Sequence, residues 1–539
     1  MHLIVIHGYI LSGTGSNIYT TNVAKTWKKH GHAVTIVCQD PIADKLPFVD
    51  EFYAGTDKIP TSPPQNGTIR VVVPDINRLL LVYSYDEYPG YVVKTLKECT
   101  LEEIEAHIEM TAKGLRKVVD QGADMILTNH ILLSPVIASR ATQGTSVPYV
   151  CKLHGSAMIF SLKPRLPELK PYVVEGLRNC KRIIAGTNHI RAVACEILKS
   201  EKEVIGMDRK MVIIPPGLDP DVFRAGGDLD ERQSAFLTNV QAFKTRKPNG
   251  RKASAISHPS ITQSLQDFHN NLVAVAHSYN QRAIDADLVE RWIPFQEGDF
   301  IICYFGNFLD TKGVGELLTA FPSILNRIPE ARLLLIGFGR YREHLEGMLQ
   351  SLKEGNLESF KAYGNAGMFV DFPDDLQSYF RKLKPGEQNR VTITGYQEHN
   401  QLKEILPLAS VCIVGSKASE AFGMVSLEAM AAGVLPLCND HSGLSEVLEA
   451  VRDVAPDLEI KMRLPVRPGG SHGTADGAFF IEQLLDKIEV ARQFIYPNGI
   501  KNQEKRKEIS ARLRHLAVSN FSWDELCKKI SDLKEAPDV

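Results

Sequence analysis

Two glutamates at a fixed spacing are the residues of this sequence best suited to chemistry. Glu420 lies in a loop, and Glu428, eight positions later, lies in an Ala-rich helix after a Phe422-Gly423 turn. The apolar run 411–414 comes just before, so a strand feeds a glycine turn and then a helix start. A helix start offers free backbone N–H groups and a partial positive charge, which suit a phosphate. Carboxylates on either side suit the hydroxyls of a sugar and a ribose. The pattern therefore predicts a sugar-nucleotide site.

A lysine at the head of a second predicted helix is the next candidate. Lys312 follows the apolar run 300–306 and precedes the helix expected over 314–325. An ammonium group can meet a diphosphate as a mobile point charge while helix N–H groups hold the same oxygens. Alone, Lys312 would be an ordinary exposed lysine. Beside the glutamate pair, we interpret it as a diphosphate contact.

A glycine loop follows the first predicted strand. Gly13 and Gly15 are typical of a tight turn between a strand and a helix. A rival interpretation is a dinucleotide fingerprint, with Asp40 as the acid that binds ribose. Ile18 holds the third glycine position of that motif, so the motif is incomplete. The rival also leaves the Glu420 region unexplained, and it is the weaker of the two.

Two histidines stand at the ends of predicted strands. His154 follows the strand 149–153, and His130 follows the strand 125–128. The carboxyl ends of parallel strands line the ligand-binding edge of an open sheet. We therefore take His154 as a candidate site residue and His130 as a candidate on the acceptor side, although a buried structural histidine is the common alternative.

Two further patterns have ordinary explanations. Asp285 and Asp287 could suggest a divalent metal, but 285–290 has the composition of an exposed helix face, so we expect no metal site. The basic run 244–252 lacks aromatic residues and an amphipathic repeat, so we expect a solvated loop.

Composition narrows the possible function classes. The 539 residues include 62 Lys and Arg against 64 Asp and Glu, and a net charge of −2 gives no general attraction for nucleic acid or anionic membrane. The nine cysteines form no Cys-x-x-Cys pair, which favours reduced thiols over disulfides or zinc. We expect a soluble, cytoplasmic protein with at most peripheral membrane contact.

Apolar strands alternate with helices along most of the chain. This alternation predicts α/β architecture, with parallel sheets covered on both faces. We expect an N-terminal domain over 1–216, a polar insertion or linker over 226–290, a C-terminal domain over 291–515 and a final helix within 516–539 that crosses back to the first domain. Both domains are expected to be doubly wound and to face a central cleft.

Taken together, these residues resemble the GT-B glycosyltransferases of retaining family four. The resemblance implies two Rossmann-like domains and a donor site in the second. It implies that Glu420 touches the donor sugar, that Glu428 binds the ribose hydroxyls and that Lys312 binds the diphosphate. Two departures stand out, because Asn307 replaces a usually basic residue and Ser442 interrupts a usual double glycine. The implied donor-binding residues are Gly13, Gly15, Asn307, Lys312, Phe422, Gly423, Met424 and Glu428, and the implied catalytic residues are His154, Lys312 and Glu420.

The resemblance also implies a reaction. A hexose would move, with retention, from a nucleotide-diphosphate sugar to the hydroxyl of a saccharide, a lipid-linked or a small-molecule acceptor. The sugar nucleotide would be a co-substrate, with no metal or other cofactor and no nucleic-acid partner. Three alternatives stay open: a GT-B phosphorylase, a sugar-nucleotide epimerase and a non-catalytic protein that binds sugar nucleotides. The base, sugar, acceptor and oligomeric state do not follow from the sequence.

Overall fold

The computed structural model describes residues 1–11, 15–83, 90–367, 370–470, 474–497 and 503–537. The predicted donor residue Gly13 lies outside these residues. The chain divides into two units. Unit 1 comprises Met1–Gly217 and Phe521–Val539, and unit 2 comprises Leu218–Asn520.

Unit 1 is built on one large parallel sheet and a smaller one. Its strands are β1 (His2–Ile6), β2 (Ala33–Val37), β3 (Glu51–Ala54), β4 (Ile69–Val73), β5 (Leu79–Val82), β6 (Val92–Thr95), β7 (Met125–Asn129), β8 (Tyr149–Lys152), β9 (Arg182–Ala185) and β10 (Met211–Ile213). Its helices up to residue 217 are α1 (Ser16–Lys29), α2 (Leu101–Val119), α3 (Ser134–Ala141), α4 (Leu166–Arg178), α5 (Asn188–Ile197), α6 (Lys202–Ile205) and α7 (Met207–Lys210). A π-helical turn, Ala157–Leu162, precedes α4.

The large sheet of unit 1 has the strand order β10-β9-β8-β7-β1-β2-β4-β3. Strand β1 is buried on both faces, because Leu3 and Val5 pack into one apolar cluster while Ile4 and Ile6 pack into another. Its uninterrupted apolar sequence therefore fits the centre of a sheet that is covered on both sides. From β1 the chain moves to β2 on one side and later to β7 on the other, so the strand order reverses at the β1–β7 boundary.

Unit 2 repeats this design. Its strands are β11 (Phe300–Asn307), β12 (Ala331–Phe338), β13 (Val391–Ile393), β14 (Val411–Val414), β15 (Leu435–Asn439) and β16 (Arg463–Leu464). Their order is β13-β12-β11-β14-β15-β16, with parallel pairing. Its helices are α8 (Leu229–Lys244), α9 (Leu265–His277), α10 (Val314–Arg327), α11 (Arg342–Glu354), α12 (Leu357–Asn365), α13 (Leu376–Tyr379), α14 (His399–Ile405), α15 (Met424–Ala431), α16 (Ser442–Arg452), α17 (Pro456–Met462), α18 (Gly477–Ile495) and α19 (Gln503–Phe521).

The polar segment 226–290 is a folded part of unit 2 that contains α8 and α9, which fits an insertion better than a linker. Helices α8 and α9 bury Phe236 and Phe268 completely. Asp285 is 2% exposed and pairs with Arg342 at 2.8 Å, so the expected exposed helix face does not exist there. Arg251 belongs to the expected solvated loop, yet it is 5% exposed and binds both carboxylate oxygens of Glu343, at 2.8 and 2.9 Å. Side chains that look solvated in sequence therefore fix this segment to α11.

The last described helix, α20 (Trp523–Asp532), packs against α1 in unit 1. The Trp523 ring lies 5.3 Å from that of Tyr19, and a Cβ on Gly217 would come within 2.5 Å of Trp523. Residue 217 must therefore be glycine for the tail to pack here. In the described parts of the chain, no helix combines the length and apolarity needed to cross a bilayer.

Candidate functional site

In unit 2, the predicted donor residues lie where the strand order reverses. Strands β11 and β14 are neighbours, yet the chain leaves β11 for β12 on the opposite side. The loops after β11 and β14 therefore diverge at their carboxyl ends and leave a crevice between them, which is where open α/β sheets bind ligands. The first loop carries Lys312, and the second carries Glu420.

These two side chains meet. The Lys312 ammonium contacts the Glu420 carboxylate directly, and the side chains are 30% and 23% exposed. A backbone hydrogen bond joins the two loops: the N–H of Lys417 donates to the carbonyl of Thr311 at 2.8 Å. Gly313, next to Lys312, has φ 71°, a conformation that favours glycine. A Cβ on Gly313 would lie 2.3 Å from the carbonyl oxygen of Gly415. The glycine after Lys312 therefore permits the close approach of the two loops.

A buried ion cluster supports this contact from below. Lys417 pairs with Glu316, the third residue of α10, at 2.6 Å and with Asp371 at 3.1 Å. The side chains of Lys417 and Glu316 are completely buried. The nearby carboxylates raise the pKa of Lys417 against the effect of burial, so it stays charged. The cluster ties the Glu420 loop to the helix that follows Lys312.

A third loop holds the backbone of Glu420. The N–H of Glu420 donates to Ser442 Oγ at 2.9 Å, and the carbonyl of Glu420 accepts from the N–H of Gly443 at 3.0 Å. Ser442 adopts φ 51°, a left-handed conformation that is rare for residues other than glycine. The serine at this departure from the family pattern thus keeps a glycine-like backbone and adds a hydroxyl that Glu420 uses.

Helix α15 begins at this loop and carries the second glutamate. A Cβ on Gly423 would lie 2.7 Å from Ser426 Oγ and 2.9 Å from Leu444, so the turn requires glycine. Glu428 is one turn further on, with a side chain that is 18% exposed. Burial raises the pKa of Glu428 to about 7. His399 Nε2 lies 3.9 Å from its carboxylate, beyond hydrogen-bond distance, so the carboxylate can accept hydrogen bonds from a hydroxyl-bearing ligand.

In unit 1, the histidines also gather where the strand order reverses. His130 follows β7, His154 follows β8, and a third histidine, His7, follows β1. The ring centroids of His130 and His154 are 4.6 Å apart, and those of His7 and His130 are 6.3 Å apart. His130 has φ 68°, a strained conformation, and its side chain is buried, with Nε2 3.3 Å from Ser16 Oγ.

The hydrogen bonds of Asn129 define the tautomer of His154. The Asn129 amide nitrogen donates to the carbonyl of Ile6 at 3.2 Å and to Thr20 Oγ1 at 3.1 Å. Its oxygen therefore faces His154 Nε2, at 2.9 Å, and that nitrogen must carry the proton. His154 Nδ1 is left with its lone pair, which can accept a hydrogen bond from a hydroxyl group.

All three imidazoles are neutral near pH 7. Burial lowers the pKa of His7 to about 4 and those of His130 and His154 well below their usual value, and the neighbouring groups lower them further for His130 and His154. Buried Lys152 donates to the carbonyl of Ile214 at 2.7 Å, and burial lowers its pKa to about 7. This end of unit 1 is therefore polar but carries little charge.

The remaining candidates of unit 1 have structural surroundings. Gly15 precedes α1 with φ 62°. Asp40, the acid of the rival interpretation, accepts from the N–H of Leu11 at 2.9 Å and from that of Ile42 at 3.2 Å. The first contact holds the loop after β1 and the second holds the turn after β2, and together they leave less of Asp40 for a ribose.

Comparison with known proteins identifies the central part of unit 2. Residues 289–452 match the family model "Glycosyl transferases group 1". This segment is a group 1 glycosyltransferase domain. It contains Lys312, Glu420 and Glu428, so the three charged residues predicted to bind the donor lie inside the matched region.

Relatives and solved structures extend this result. The chain is 27% identical over 159 residues to an uncharacterised glycosyltransferase from Methanocaldococcus jannaschii, covering 30% of this chain and 32% of the relative. Sucrose-phosphate synthase from Thermosynechococcus elongatus superposes with TM-score 0.52 at 16% identity, over 99% and 98% of the two chains. Anabaena HepE in complex with UDP and glucose gives TM-score 0.51 at 14% identity, over 99% and 98%. The fold class is GT-B, with two Rossmann-like parallel-sheet domains. The curated relatives are matched over only 32% to 54% of their own length.

The other residues predicted to bind the donor in unit 2 lie near Lys312 and Glu420 in the sequence. Asn307 is exposed at the end of β11, and its backbone carbonyl accepts from Tyr304 Oη at 2.8 Å. Phe422 and Met424 are half-buried on either side of Gly423. In the described residues, no set of three or more His, Cys, Asp or Glu side chains is grouped to hold a metal ion.

Sequence reasoning missed several residues that the structure places at these two sites. His7 could have been found, because it follows the first strand as His130 and His154 follow theirs. Lys417 gave a weaker signal, because its partner Glu316 is distant in sequence. Ser442 was noted only as a departure from the family pattern, without its contact to Glu420. Asp371 gave no signal, because it lies in a polar stretch, 356–389, that contains none of the motifs described above.

Proposed function

We propose that this protein is a retaining glycosyltransferase that moves a hexose from a nucleotide-diphosphate sugar to a hydroxyl acceptor. The observation that carries the proposal is the contact of Lys312 with Glu420 between the starts of α10 and α15, with mostly buried Glu428 one turn away. Lys312 and the helix starts suit the diphosphate of a sugar nucleotide, Glu420 suits its sugar and Glu428 suits its ribose.

The proposed leaving group is the nucleoside diphosphate. As the bond from the anomeric carbon to the phosphate oxygen breaks, negative charge grows on the diphosphate. Lys312 and the free N–H groups at the starts of α10 and α15 would stabilise that charge, and they stabilise it more in the transition state than in the ground state. Because the ion cluster of Lys417, Glu316 and Asp371 holds these elements, the hydrogen-bond donors need little reorganisation.

Glu420 has a different proposed task. When the diphosphate engages Lys312, the Glu420 carboxylate exchanges its ammonium partner for hydroxyls of the donor sugar. Two hydrogen bonds from one carboxylate fix the rotation of the ring, which places the anomeric carbon for attack. Glu428 would accept from the ribose hydroxyls, which replace the hydration that burial removes.

Within the neutral histidine cluster of unit 1, half-buried His154 is the proposed contact for hydroxyl groups, while His7 and His130 are buried beside it. His154 Nδ1 is an acceptor, while its Nε2–H is occupied by Asn129. In the proposed step, the acceptor oxygen bonds to the anomeric carbon on the face that the phosphate leaves. The acceptor proton passes to the departing phosphate oxygen, so no covalent enzyme intermediate forms and the configuration is retained.

The test is an assay with a panel of UDP-, GDP-, ADP- and dTDP-sugars, with and without saccharide and alkyl-glycoside acceptors. We expect release of nucleoside diphosphate with one donor and an α- or β-configured product that keeps the donor's anomeric configuration by NMR. The variant Glu420→Gln is the inactive control. A product of inverted configuration would contradict the retaining mechanism.

Other outcomes separate the alternatives. Turnover that depends on inorganic phosphate would indicate a phosphorylase, and an altered donor without transfer would indicate an epimerase. Binding of a sugar nucleotide with no turnover would favour a non-catalytic binding protein. No binding and no turnover with any donor would overturn the whole proposal.

A further inference from the structure

The strand beside β11 ends in an arginine whose position bears on the diphosphate. Arg340 follows β12, which pairs with β11 in a register that places Asn307 opposite Phe338. Beyond the strands, the N–H of Tyr341 donates to the carbonyl of Phe308 at 3.2 Å, so the two chains stay side by side. Arg340 therefore lies alongside the loop that runs from Asn307 to Lys312.

The backbone forces this approach. Gly339 adopts φ 133°, and a Cβ there would come within 2.6 Å of the carbonyl oxygen of Phe308. A Cβ on Gly337 would lie 1.9 Å from the carbonyl oxygen of Gly306. The two glycines allow β12 to press its end against the β11 loop, and Arg340 is the first side chain beyond this contact.

One nitrogen of the Arg340 guanidinium bonds to Asp310, and the rest of the group is accessible to solvent. Arg340 Nη2 donates to Asp310 Oδ1 at 3.3 Å, and Asp310 is 1% exposed. The Arg340 side chain is 46% exposed. Among the described residues, Asp310 is its one ion-pair partner, and a guanidinium has five N–H donors in a fixed fork. Most of those donors are free to bind another anion.

The charge balance of the donor cluster calls for such a group. A diphosphate carries at least two negative charges, while Lys312 already shares its ammonium with Glu420. Lys417 is completely buried and paired with two carboxylates, so it cannot reach a ligand. At the end of β11 itself, Asn307 contributes no charge. A second cation must therefore come from a neighbouring element if two phosphates are to be matched.

We infer that Arg340 is a second cationic contact for the diphosphate of the donor, held in place by buried Asp310. The inference rests on the proposed function, because it names a residue of the same donor site. A guanidinium binds phosphate oxygens with two parallel hydrogen bonds, which an ammonium cannot do. Arg340 would thus supply orientation as well as charge.

The test measures nucleotide binding by calorimetry. The probe is whichever of UDP, GDP, ADP and dTDP most raises the melting temperature of the wild-type protein, together with its monophosphate. We expect Arg340→Gln to weaken the diphosphate about tenfold and the monophosphate less, because charge-assisted hydrogen bonds to phosphate are lost. The dependence of affinity on salt should also become shallower, since one fewer cation takes part.

Two further variants separate binding from structural neutralisation of Asp310. If Arg340 serves only to neutralise Asp310, the double variant Asp310→Asn with Arg340→Gln will bind the diphosphate like the wild type, and the inference is overturned. We expect that double variant to remain about tenfold weaker, and we expect Asn307→Arg in the Arg340→Gln background to recover part of the loss. Arg452→Gln, at the exposed far end of α16, is the matched control and should bind normally.

Further controls distinguish a folding defect in the variants from a failure of the proposed function. Should Arg340→Gln not fold, Arg340→Lys keeps the charge beside Asp310 and tests the loss of the fork alone, with an expected weakening of about threefold. Normal diphosphate binding by whichever variant folds would overturn this inference while leaving the proposed function intact. A wild-type protein that binds none of the four nucleotides would overturn the proposed function and the inference together.

Discussion

The two units build their candidate sites from the same topology and opposite chemistry. In unit 2, the crevice beside β11 and β14 contains Lys312, Glu420 and Glu428, with two helix starts. In unit 1, the crevice beside β1 and β7 contains three histidines, of which the pKa values lie well below 7. One site is charged and preorganised for an anion, and the other is neutral and suited to hydroxyl groups.

The difference shows which properties of a binding site the fold does not determine. A doubly wound sheet determines where a ligand binds, because the crevice opens where the strand order reverses. It does not determine the ligand's charge, which depends on the few residues that follow each strand. The buried lysines illustrate this best: Lys417 has two carboxylate partners, whereas Lys152 donates to a backbone carbonyl.

Replacing each buried lysine by methionine gives the largest expected contrast. Lys417→Met removes the ammonium that faces completely buried Glu316, so we expect a loss of about 3–5 kcal/mol in the free energy of unfolding. Lys152→Met removes a cation that burial already disfavours, so we expect a change of about 1 kcal/mol or less at pH 7. Urea denaturation measures both. Similar losses for the two variants would contradict the proposed difference between Lys417, which is paired with carboxylates, and Lys152, which is not.

Lys312→Met tests the charged site directly. We expect kcat/KM to fall about 10²–10³-fold, because the leaving diphosphate loses a preorganised charge. Steady-state kinetics with the donor found in the panel assay measures the effect. Lys384→Met, an exposed lysine of unit 2, serves as the control and should be unchanged. A loss of twofold or less in Lys312→Met would remove Lys312 from the mechanism.

His154→Ala tests whether the neutral site acts on a different part of the reaction. We expect kcat to fall about 10–100-fold, which corresponds to one or two lost hydrogen bonds in the transition state. The affinity for the free nucleoside diphosphate should stay within about twofold. Asn129→Leu, which frees the tautomer of His154, should act in the same direction but less strongly. Weakened nucleotide binding in either variant would break the division of tasks between the units.

The smallest expected effect is the pH dependence of nucleotide binding, and it is specific to Glu428. The pKa of Glu428 is raised from 4.5 to about 7, so nucleotide affinity should rise with pH through about 7 as the acceptor carboxylate forms. In the free protein the contribution of Glu428 has the opposite sign: its share of the free energy of unfolding falls as the pH rises from about 4.5 to about 7, because burial disfavours the charged form. The buried histidines act in the other direction below pH 6.5, so this share is measured as the difference between wild type and Glu428→Gln. Glu428→Gln should abolish both trends and bind about fivefold more weakly at pH 8.

A dideoxy nucleotide is the control for this experiment. Without ribose hydroxyls it should show no dependence of affinity on pH in this range and no difference between wild type and Glu428→Gln. An unchanged pH profile with the ordinary nucleotide would place the ribose elsewhere.

The motifs that could be predicted from sequence are those whose parts are close along the chain. The helix start at Gly423, the spacing from Glu420 to Glu428 and the glycine after Lys312 are local features, and each lies in the predicted type of element. The insertion shows the opposite case. Asp285 and Arg251 look solvated because their partners Arg342 and Glu343 lie 57 and 92 positions away.

Strands, helix starts and the types of side chain at each strand end follow from local sequence, because backbone preference and apolar pattern act over a few residues. Which of those side chains meet depends on long-range folding. Lys312 and Glu420 are 108 positions apart, and only the pairing of β11 with β14 brings their loops together. The same pairing of distant segments buries Lys417 against Glu316 and makes the histidines of unit 1 neutral, since burial and charge depend on neighbours in space.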